Sequence, residues 1–434
     1  MSAKTANTAD LSKQYQKKTD RQHILDNPDT YIGAVDEIET NTWVWKSNKD
    51  DDNDNGKIIS KTATIIPGLY KLFDEGVVNA RDHVIRMKNH AGDAAHKQVT
   101  YIDFSISDDG TITITNDGDG IDVVKHPEYD IWIPELIFGH LRTSTNYNKD
   151  EKKIIGGKNG FGFKLALIWS TWGRIETIDH VRKLKYIQEF EDNLNTRSTP
   201  VITKCRTKPY TKVSFKPDYA RFGIDGLSED MTSVMMRRIY DIAAVTDKTV
   251  KVKYNSQAIS VKHFQHYVDM HIGGKSETPR VYEAPNERWE FACCISPSDE
   301  FAQVSLVNGI YTAKGGKHVD YILGKILRKL TAYIKKKKKI DVKPVTIKEQ
   351  LMLFVRCDVE NPSFDSQTKD YMSTPASKFG SSCDVSDKFI EKLAKMGIMD
   401  AAISLTEVKD NKIAAKKSDG SKSRSIRGIP KLID

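Results

Sequence analysis

Four glycines fall within seven residues, at Gly156, Gly157, Gly160 and Gly162, and the run closes on Lys164 just before an apolar helical segment opens at Leu165. Few local features restrict a chain more. Glycine frees backbone N–H groups for close approach, and a following helix start adds positive partial charge. Together with a lysine point charge they form an anion cradle. The spacing is not the Walker A pattern G-x-x-x-x-G-K-[ST], and no strand leads directly into it as a dinucleotide fingerprint requires. Alone, the run leaves a phosphate site and a flexible loop both open.

What precedes it narrows the choice. Leu69, Leu72, Phe73, Val77, Ala80 and Val84 recur at three and four residues, which predicts an amphipathic helix over 69–87 introduced by Pro67-Gly68. Residues 99–106 and 111–115 alternate as two strands around the turn Asp108-Asp109-Gly110. The second strand runs into Asn116-Asp117-Gly118-Asp119-Gly120-Ile121. Glu75 and Asn79 lie one helical turn apart, on the face away from Leu69, Phe73 and Val77. A carboxylate that activates water beside an amide oxygen for magnesium suits metal-assisted phosphate hydrolysis, although an exposed polar face gives the same spacing. The Asn-Asp-Gly run reads as a turn, or as backbone passing under a flat ligand whose edge Asn116 reads.

Charge points to a second kind of partner. The formal net charge is +8, and residues 313–350 alone hold twelve Lys/Arg against three Asp/Glu, including Lys335, Lys336, Lys337, Lys338 and Lys339. Residues 409–434 add eight basic against three acidic side chains. Such localised charge suggests a polyanion, nucleic acid before an acidic membrane surface. A mean hydropathy of −0.52 with 38% hydrophobic residues fits a soluble globular chain, and no apolar run reaches membrane-spanning length. Five cysteines without a C-x-x-C pair argue against a zinc ribbon or disulfide framework and for a reducing compartment. The acidic stretch 49–56 lacks the ligand register of a calcium loop and reads as a hairpin tip. Helices are expected over 231–245 and from about Val319 into the lysine run, strands over 290–295 and 303–307, and a domain boundary near residue 256.

The motifs E-x-x-x-N, N-D-G-x-G-I and G-x-N-G-x-G-x-K occur in that order, and in this the sequence resembles the GHKL ATPases, the group of gyrase, the heat-shock chaperone, histidine kinases and mismatch-repair proteins. Within the group it is most similar to the topoisomerase II of eukaryotes and large DNA viruses. The resemblance is carried by Tyr15-Gln16-Lys17-Lys18-Thr19, Pro28-Asp29-Thr30-Tyr31-Ile32-Gly33, Phe73-Asp74-Glu75, Leu136-Ile137-Phe138-Gly139 and Thr143-Ser144-Thr145-Asn146-Tyr147. It continues through the glycine loop, Lys314-Gly315-Gly316-Lys317-His318, Phe364-Asp365-Ser366-Gln367-Thr368-Lys369 and Ile429-Pro430-Lys431-Leu432.

The resemblance implies an α+β chain: an N-terminal arm over 1–30, a GHKL α/β sandwich that binds ATP over 31–255, a ribosomal-protein-S5-like βαβ transducer over 256–408, and a basic linker over 409–434 toward an absent cleavage domain. It implies that Glu75 is the general base, that Asn79 holds Mg2+, and that Asn116 reads adenine. Ser144, Thr145 and Asn146 would contact ribose and phosphates. Gly157, Lys158, Asn159, Gly160, Phe161, Gly162, Phe163 and Lys164 would wrap the triphosphate. Gln367, Thr368 and Lys369 would reach the γ-phosphate from the second domain, with Lys369 catalytic, and Tyr15 would cross to the nucleotide of a second copy. Lys335 to Lys339 would contact double-stranded DNA. The expected activity is that of an ATP-driven dimerisation gate, without DNA cleavage by this stretch alone, in the nucleus or at a viral replication site. His83 stands where the family usually has asparagine, and Phe161 and Phe163 are bulkier than expected. A GHKL chaperone or histidine kinase, or a DNA-binding module without catalysis, are the competing readings.

Overall fold

The computed structural model describes residues 17–47, 56–141, 153–157, 162–261, 263–298 and 300–408. Of these, the residues up to Ile272 together with Leu306–Lys314 and Asp358–Gly380 form one compact unit. Gly273–Ser305, Gly315–Cys357 and the residues from Ser381 onward form the other. The chain therefore returns twice to the first unit, a division that differs from the contiguous one expected at residue 256.

In the first unit, the stretch expected as a featureless arm contains helices α1 (Asp20–Asp26) and α2 (Pro28–Tyr31). Thr19 caps α1 by accepting the Gln22 N–H, Ile24 and Leu25 are buried, and Pro28 starts α2 at a position where its missing N–H costs nothing. Strands β1 (Ile38–Lys46) and β2 (Lys57–Ile65) pair antiparallel, and residues 49–55 of the expected hairpin tip lie outside the described residues. Helix α3 (Pro67–Lys88) follows. Pro67 opens it, and Arg86 and Lys88 in its last turn complement the helix dipole.

A nine-stranded sheet is built from β3 (Tyr101–Ile106), β4 (Ile112–Asp117), β5 (Ser170–Asp179), β6 (Leu184–Glu191), β7 (Thr196–Arg197), β8 (Val201–Lys204), β9 (Tyr210–Pro217), β10 (Lys251–Tyr254) and β11 (Gln257–Ala258). Its order is β11-β10-β3-β4-β9-β5-β6-β7, with β8 also on β6. Strand β3 pairs antiparallel with β4 and parallel with β10. After α1 to α3, the α-helices of this unit among the described residues are α4 (Ile133–Gly139), α5 (Gly162–Ile168), α6 (Glu229–Val245) and α7 (Phe264–Ile272).

Helix α3 packs on β4, α5 on β5 and β9, and α6 on β10, a helical layer over the sheet. Phe73 meets Phe104 edge to face at 6.1 Å. Gly76 sets how close α3 comes, since a β-carbon there would collide with Ile114 and lie 2.7 Å from the Phe163 ring. Helix α5 begins at Gly162, three residues before the expected start, and so takes Phe163 and Lys164 into the helix.

The second unit holds β12 (Arg280–Asn286) and β13 (Trp289–Ile295) and the first residues of β14 (Ala302–Val307), which continues into the first unit and pairs there with β15 (Ile310–Tyr311). Helix α8 (Lys317–Lys338), α9 (Pro344–Glu349), β16 (Leu351–Cys357) and α10 (Asp387–Leu393) also belong to the second unit. Strand β13 lies antiparallel between β12 and β16. Helix α8 buries Val319, Ile322, Leu323, Ile326, Leu330 and Ile334, the stripe expected from their spacing, and packs on α9, α10 and β16. The five cysteines are free thiols. No helix among the described residues is long and apolar enough to cross a membrane.

Candidate functional site

The first unit contains a cavity of about 1140 Å³ lined by α3, the turn after β4, the two ends of the glycine loop, residues 362–367 and Lys369. That volume suits a ligand of nucleotide size. Glu75, Asn79, Asp82 and His83 line it from α3, at spacings that put them on one face. Sequence spacing left an exposed polar face open for Glu75, but Glu75 is 3% exposed, because this face of α3 forms the cavity wall. Asn79, one turn on, is exposed within the cavity.

Two ammonium groups grip the Glu75 carboxylate. Lys71, one turn earlier on α3, lies 2.6 Å from Oε1, and Lys369 donates to the same oxygen at 3.2 Å. All three side chains are buried. Burial pushes the Glu75 pKa up, but Lys369 and Lys71 more than offset it and hold the carboxylate below its ordinary range. Glu75 is therefore ionised. Its neighbour Asp74 accepts from Arg238 of α6 at 2.6 Å, and this pair with Lys71 outweighs burial and holds Asp74 at about 2. Burial lowers the Lys369 pKa, although Glu75 and Asp74 pull the other way.

Asp82, buried on the next turn, accepts the Gly156 N–H at 2.9 Å and the Gly157 N–H at 2.8 Å. It thereby anchors the entrance of the glycine loop to α3. Burial raises its pKa against those two amides. At the loop's far end, a β-carbon on Gly162 would overlap Glu75 Oε2. Phe163 packs edge to face on Phe138 and Phe215, so its bulk fills the core under the site. Lys164 lines the cavity, and burial brings its pKa down to about 8.

Asn116 ends β4 with its side chain donating to the Asp117 carbonyl at 3.0 Å. The turn beyond it is held by its own acids. Asp117 accepts the Thr100 and Tyr101 N–H groups, and Asp119 accepts the Lys97 N–H and pairs with His96 at 2.6 Å. Gly118 has φ of 95° and would place a β-carbon 2.7 Å from Val99. A β-carbon on Gly120, which lines the cavity, would overlap the Ile178 carbonyl, so the backbone here packs close on β5. His83 lies against this turn, and burial lowers its pKa to about 4, so its imidazole is neutral.

Gln367 and Lys369 line the same cavity, within the unit that carries Glu75 and not in the second unit as expected. Thr368 turns away, bonding Ser366 at 2.8 Å and Asp370 at 3.0 Å, and does not line the cavity. Tyr15, Ser144, Thr145, Asn146, Lys158, Asn159, Gly160 and Phe161 lie outside the described residues. In the second unit, Lys335 to Lys338 form the last turn of α8 and Lys339 caps it with φ of 60°. All five are exposed, and Lys335 pairs with Asp341 at 3.0 Å. Cations at a helix C-terminus also complement its dipole.

The sequence reading passed over Lys71, Asp82, Arg86 and Arg238. Lys71 was available as the i−4 neighbour of Glu75, and Asp82 and Arg86 as the i+3 and i+7 neighbours of Asn79. Arg238 had no local signal, since it meets Asp74 only through the packing of α6 on α3.

Comparison with known proteins bears on this geometry. The DNA gyrase B family model matches residues 245–421. DNA topoisomerase 2 of Candida glabrata is 42% identical over 444 residues, covering 98% of this chain and 30% of that protein. The DNA topoisomerase 2 of Acanthamoeba polyphaga mimivirus is 38% identical over 425 residues, covering 97% of this chain and 33% of its own length. The chain thus spans about a third or less of the relatives it matches. Among solved structures, the ATPase region of Saccharomyces cerevisiae topoisomerase II superposes with a TM-score of 0.83 at 39% identity, covering 92% of this chain and all of that one. The ATPase and transducer domains of Balamuthia mandrillaris DNA topoisomerase II give 0.83 at 35% identity, covering 92% and 99%.

Proposed function

Because the chain belongs to the type II DNA topoisomerase family and corresponds to its ATPase region, we propose that it is an ATP-operated gate whose first unit binds and hydrolyses ATP in the cavity beneath Glu75. The observation that carries this reading is the ionised, buried Glu75 at the floor of a nucleotide-sized cavity, with Asn79 one turn away and Lys369 on the same carboxylate. A carboxylate that stays charged out of bulk water, beside a place for phosphates, can take a proton from an attacking water.

The assignment of roles follows the walls of the cavity. Asn116 and the Asp117–Gly120 backbone receive the adenine edge. Gly157, Gly162 and Lys164 face the phosphates, and Lys158, Asn159, Gly160 and Phe161, outside the described residues, are assigned to the phosphates by the family resemblance alone. Ser144, Thr145 and Asn146 contact ribose and phosphates, and Gln367 and Lys369 reach the γ-phosphate. That phosphate competes with Glu75 for the Lys369 ammonium, so nucleotide arrival frees the base, and only a triphosphate extends far enough to do so. Thr368 holds the turn that carries Gln367 and Lys369.

The residues present fit a magnesium ion. The Asn79 amide oxygen lies 3.5 Å from where a β-carbon on Gly157 would stand, at the mouth of the glycine loop. Among the described residues no group of three or more His, Cys, Asp or Glu could hold a metal alone. One hard oxygen from the chain, with the rest from phosphates and water, is the donor set magnesium favours. Bound there through Asn79, the ion would neutralise phosphate charge.

In the complete enzyme this reading makes the chain an ATP-dependent dimer that captures a DNA duplex. Tyr15 reaches the second copy's nucleotide, Lys335 to Lys339 contact DNA phosphates without reading bases, and a cleavage region elsewhere in the protein cuts the other duplex. On this reading the arm and linker remain 1–30 and 409–434, while the ATP-binding and transducer parts follow the two units and not the contiguous 31–255 and 256–408, residues 306–314 and 358–380 serving the ATP site. Work on DNA places the enzyme in a nucleus or at a viral replication site.

Glu75→Gln tests the chemical core of the reading. Turnover should fall by about a thousandfold or more, while binding of a non-hydrolysable ATP analogue persists. Turnover at the unsubstituted rate would remove Glu75 as the base.

A further inference from the structure

Strands β14 and β15 are joined by a turn at Asn308 and Gly309, both left-handed with φ of 50° and 76°. Asn-Gly suits such a turn for its backbone alone. The Asn308 side chain does more than the turn requires. It is fully buried, and its Nδ2 donates to the Ile155 carbonyl at 3.1 Å and the Val359 carbonyl at 2.9 Å. Its Oδ1 accepts the Val359 N–H at 2.7 Å. Both amide hydrogens and the oxygen are thus committed, all within the first unit.

The two segments it joins each bring phosphate-facing groups to the cavity. Ile155 immediately precedes Gly156 and Gly157, whose amides Asp82 holds. Val359 begins the stretch that leads to Gln367 and Lys369. The segments also meet directly, with the Asn361 N–H on the Lys153 carbonyl at 2.9 Å and the Lys153 N–H on Asn361 Oδ1 at 3.2 Å. The Gly309 carbonyl accepts from Arg238 at 2.6 Å, and Arg238 holds Asp74 beside the base. Gly309 admits no side chain, because a β-carbon would strike Arg81, which pairs with Asp358 at 2.8 Å.

We infer that Asn308 is a positioning residue for ATP hydrolysis, locking the entrance of the glycine loop to the segment that carries Lys369 so that loop amides and sensor lysine meet the phosphates in one fixed register. It touches no substrate and acts through Lys369 and the Gly156–Gly157 backbone. This rests on the proposed hydrolysis of ATP.

A double-substitution cycle tests it. Asn308→Gly keeps the left-handed backbone available and removes only the amide. Turnover of the 434-residue chain should drop about tenfold with Asn308→Gly, while the unfolding transition stays cooperative and the analogue still binds. In a Lys369→Ala background the same substitution should cost about threefold or less, because the part of its action that runs through Lys369 is already gone. Asn308→Ser, which can make one bond to either segment, should recover part of the loss. Equal losses in both backgrounds, no loss, or loss of cooperative unfolding would each overturn the inference. Absence of turnover in the unsubstituted chain would instead sink the hydrolysis reading on which it stands.

Discussion

Gly162 leaves no room for a β-carbon beside Glu75, so the smallest possible change at the glycine loop tests how tightly the base is placed. Alanine there improves helix propensity in the first turn of α5 and would stabilise that helix slightly if space allowed. It must instead push the Glu75 carboxylate off Lys71 or shift α5, and misplacement of a reacting group is costly. Gly162→Ala should lower turnover about tenfold with little change in unfolding midpoint; unchanged turnover would mean that the carboxylate has slack. At this scale the sequence was legible where chemistry is local. Glu75, Asn79, Asn116 and Lys164 could be picked from motif and spacing, and all four line the cavity. Lys71 was also within reach as the i−4 neighbour of Glu75, whereas Arg238 and Asn308 could not be weighed, because their importance comes from partners 164 and 51 residues away.

Helices declared themselves through apolar spacing, and α3, α6 and α8 run within two residues of where the pattern placed them. Periodicity was silent where elements are short. Helices α1 and α2, at seven and four residues, are defined by a capping threonine and a proline and not by a repeating stripe. The start of α5 was misjudged because Gly162 is a poor helix former, and tertiary space around Glu75 decides that position. Helix α8 carries a testable cost of its own. His318 in its first turn is fully buried, and burial lowers its pKa to about 3. A folded-state pKa below the unfolded value means that the unfolded chain binds more protons below about pH 6.5. Stability is therefore undiminished above that pH and falls as pH drops through the window from about 6.5 to 3. Acidification from pH 7.5 to 5.5 should cost about 1 kcal/mol through this one side chain. Denaturant unfolding at both pH values, with His318→Gln, checks it: the variant should lose correspondingly less on acidification, and an identical pH dependence would contradict the assignment.

On the scale of the whole molecule, the order of motifs carried the family, while the division of the chain did not follow its order. Residues 306–314 and 358–380 belong with the first unit although the chain passes through the second before and between them. No compositional shift marks those returns. They are recognisable only once Asn308 is seen bonded to Val359 and Lys369 to Glu75. The lysine run was visible at once as charge, and its exposed position at the end of α8 suits contact with a polyanion as well as with the helix dipole. The proposed gate requires that nucleotide change the association of two copies, since one cavity in one chain can hydrolyse ATP without enclosing anything. The most direct measurement is the solution mass of the 434-residue chain with Glu75→Gln, with and without ATP and magnesium. The account predicts a dimer that forms or strengthens at least tenfold in the presence of ATP and that persists because turnover is blocked. A mass that stays the same with and without nucleotide, while ATP is bound, would contradict it.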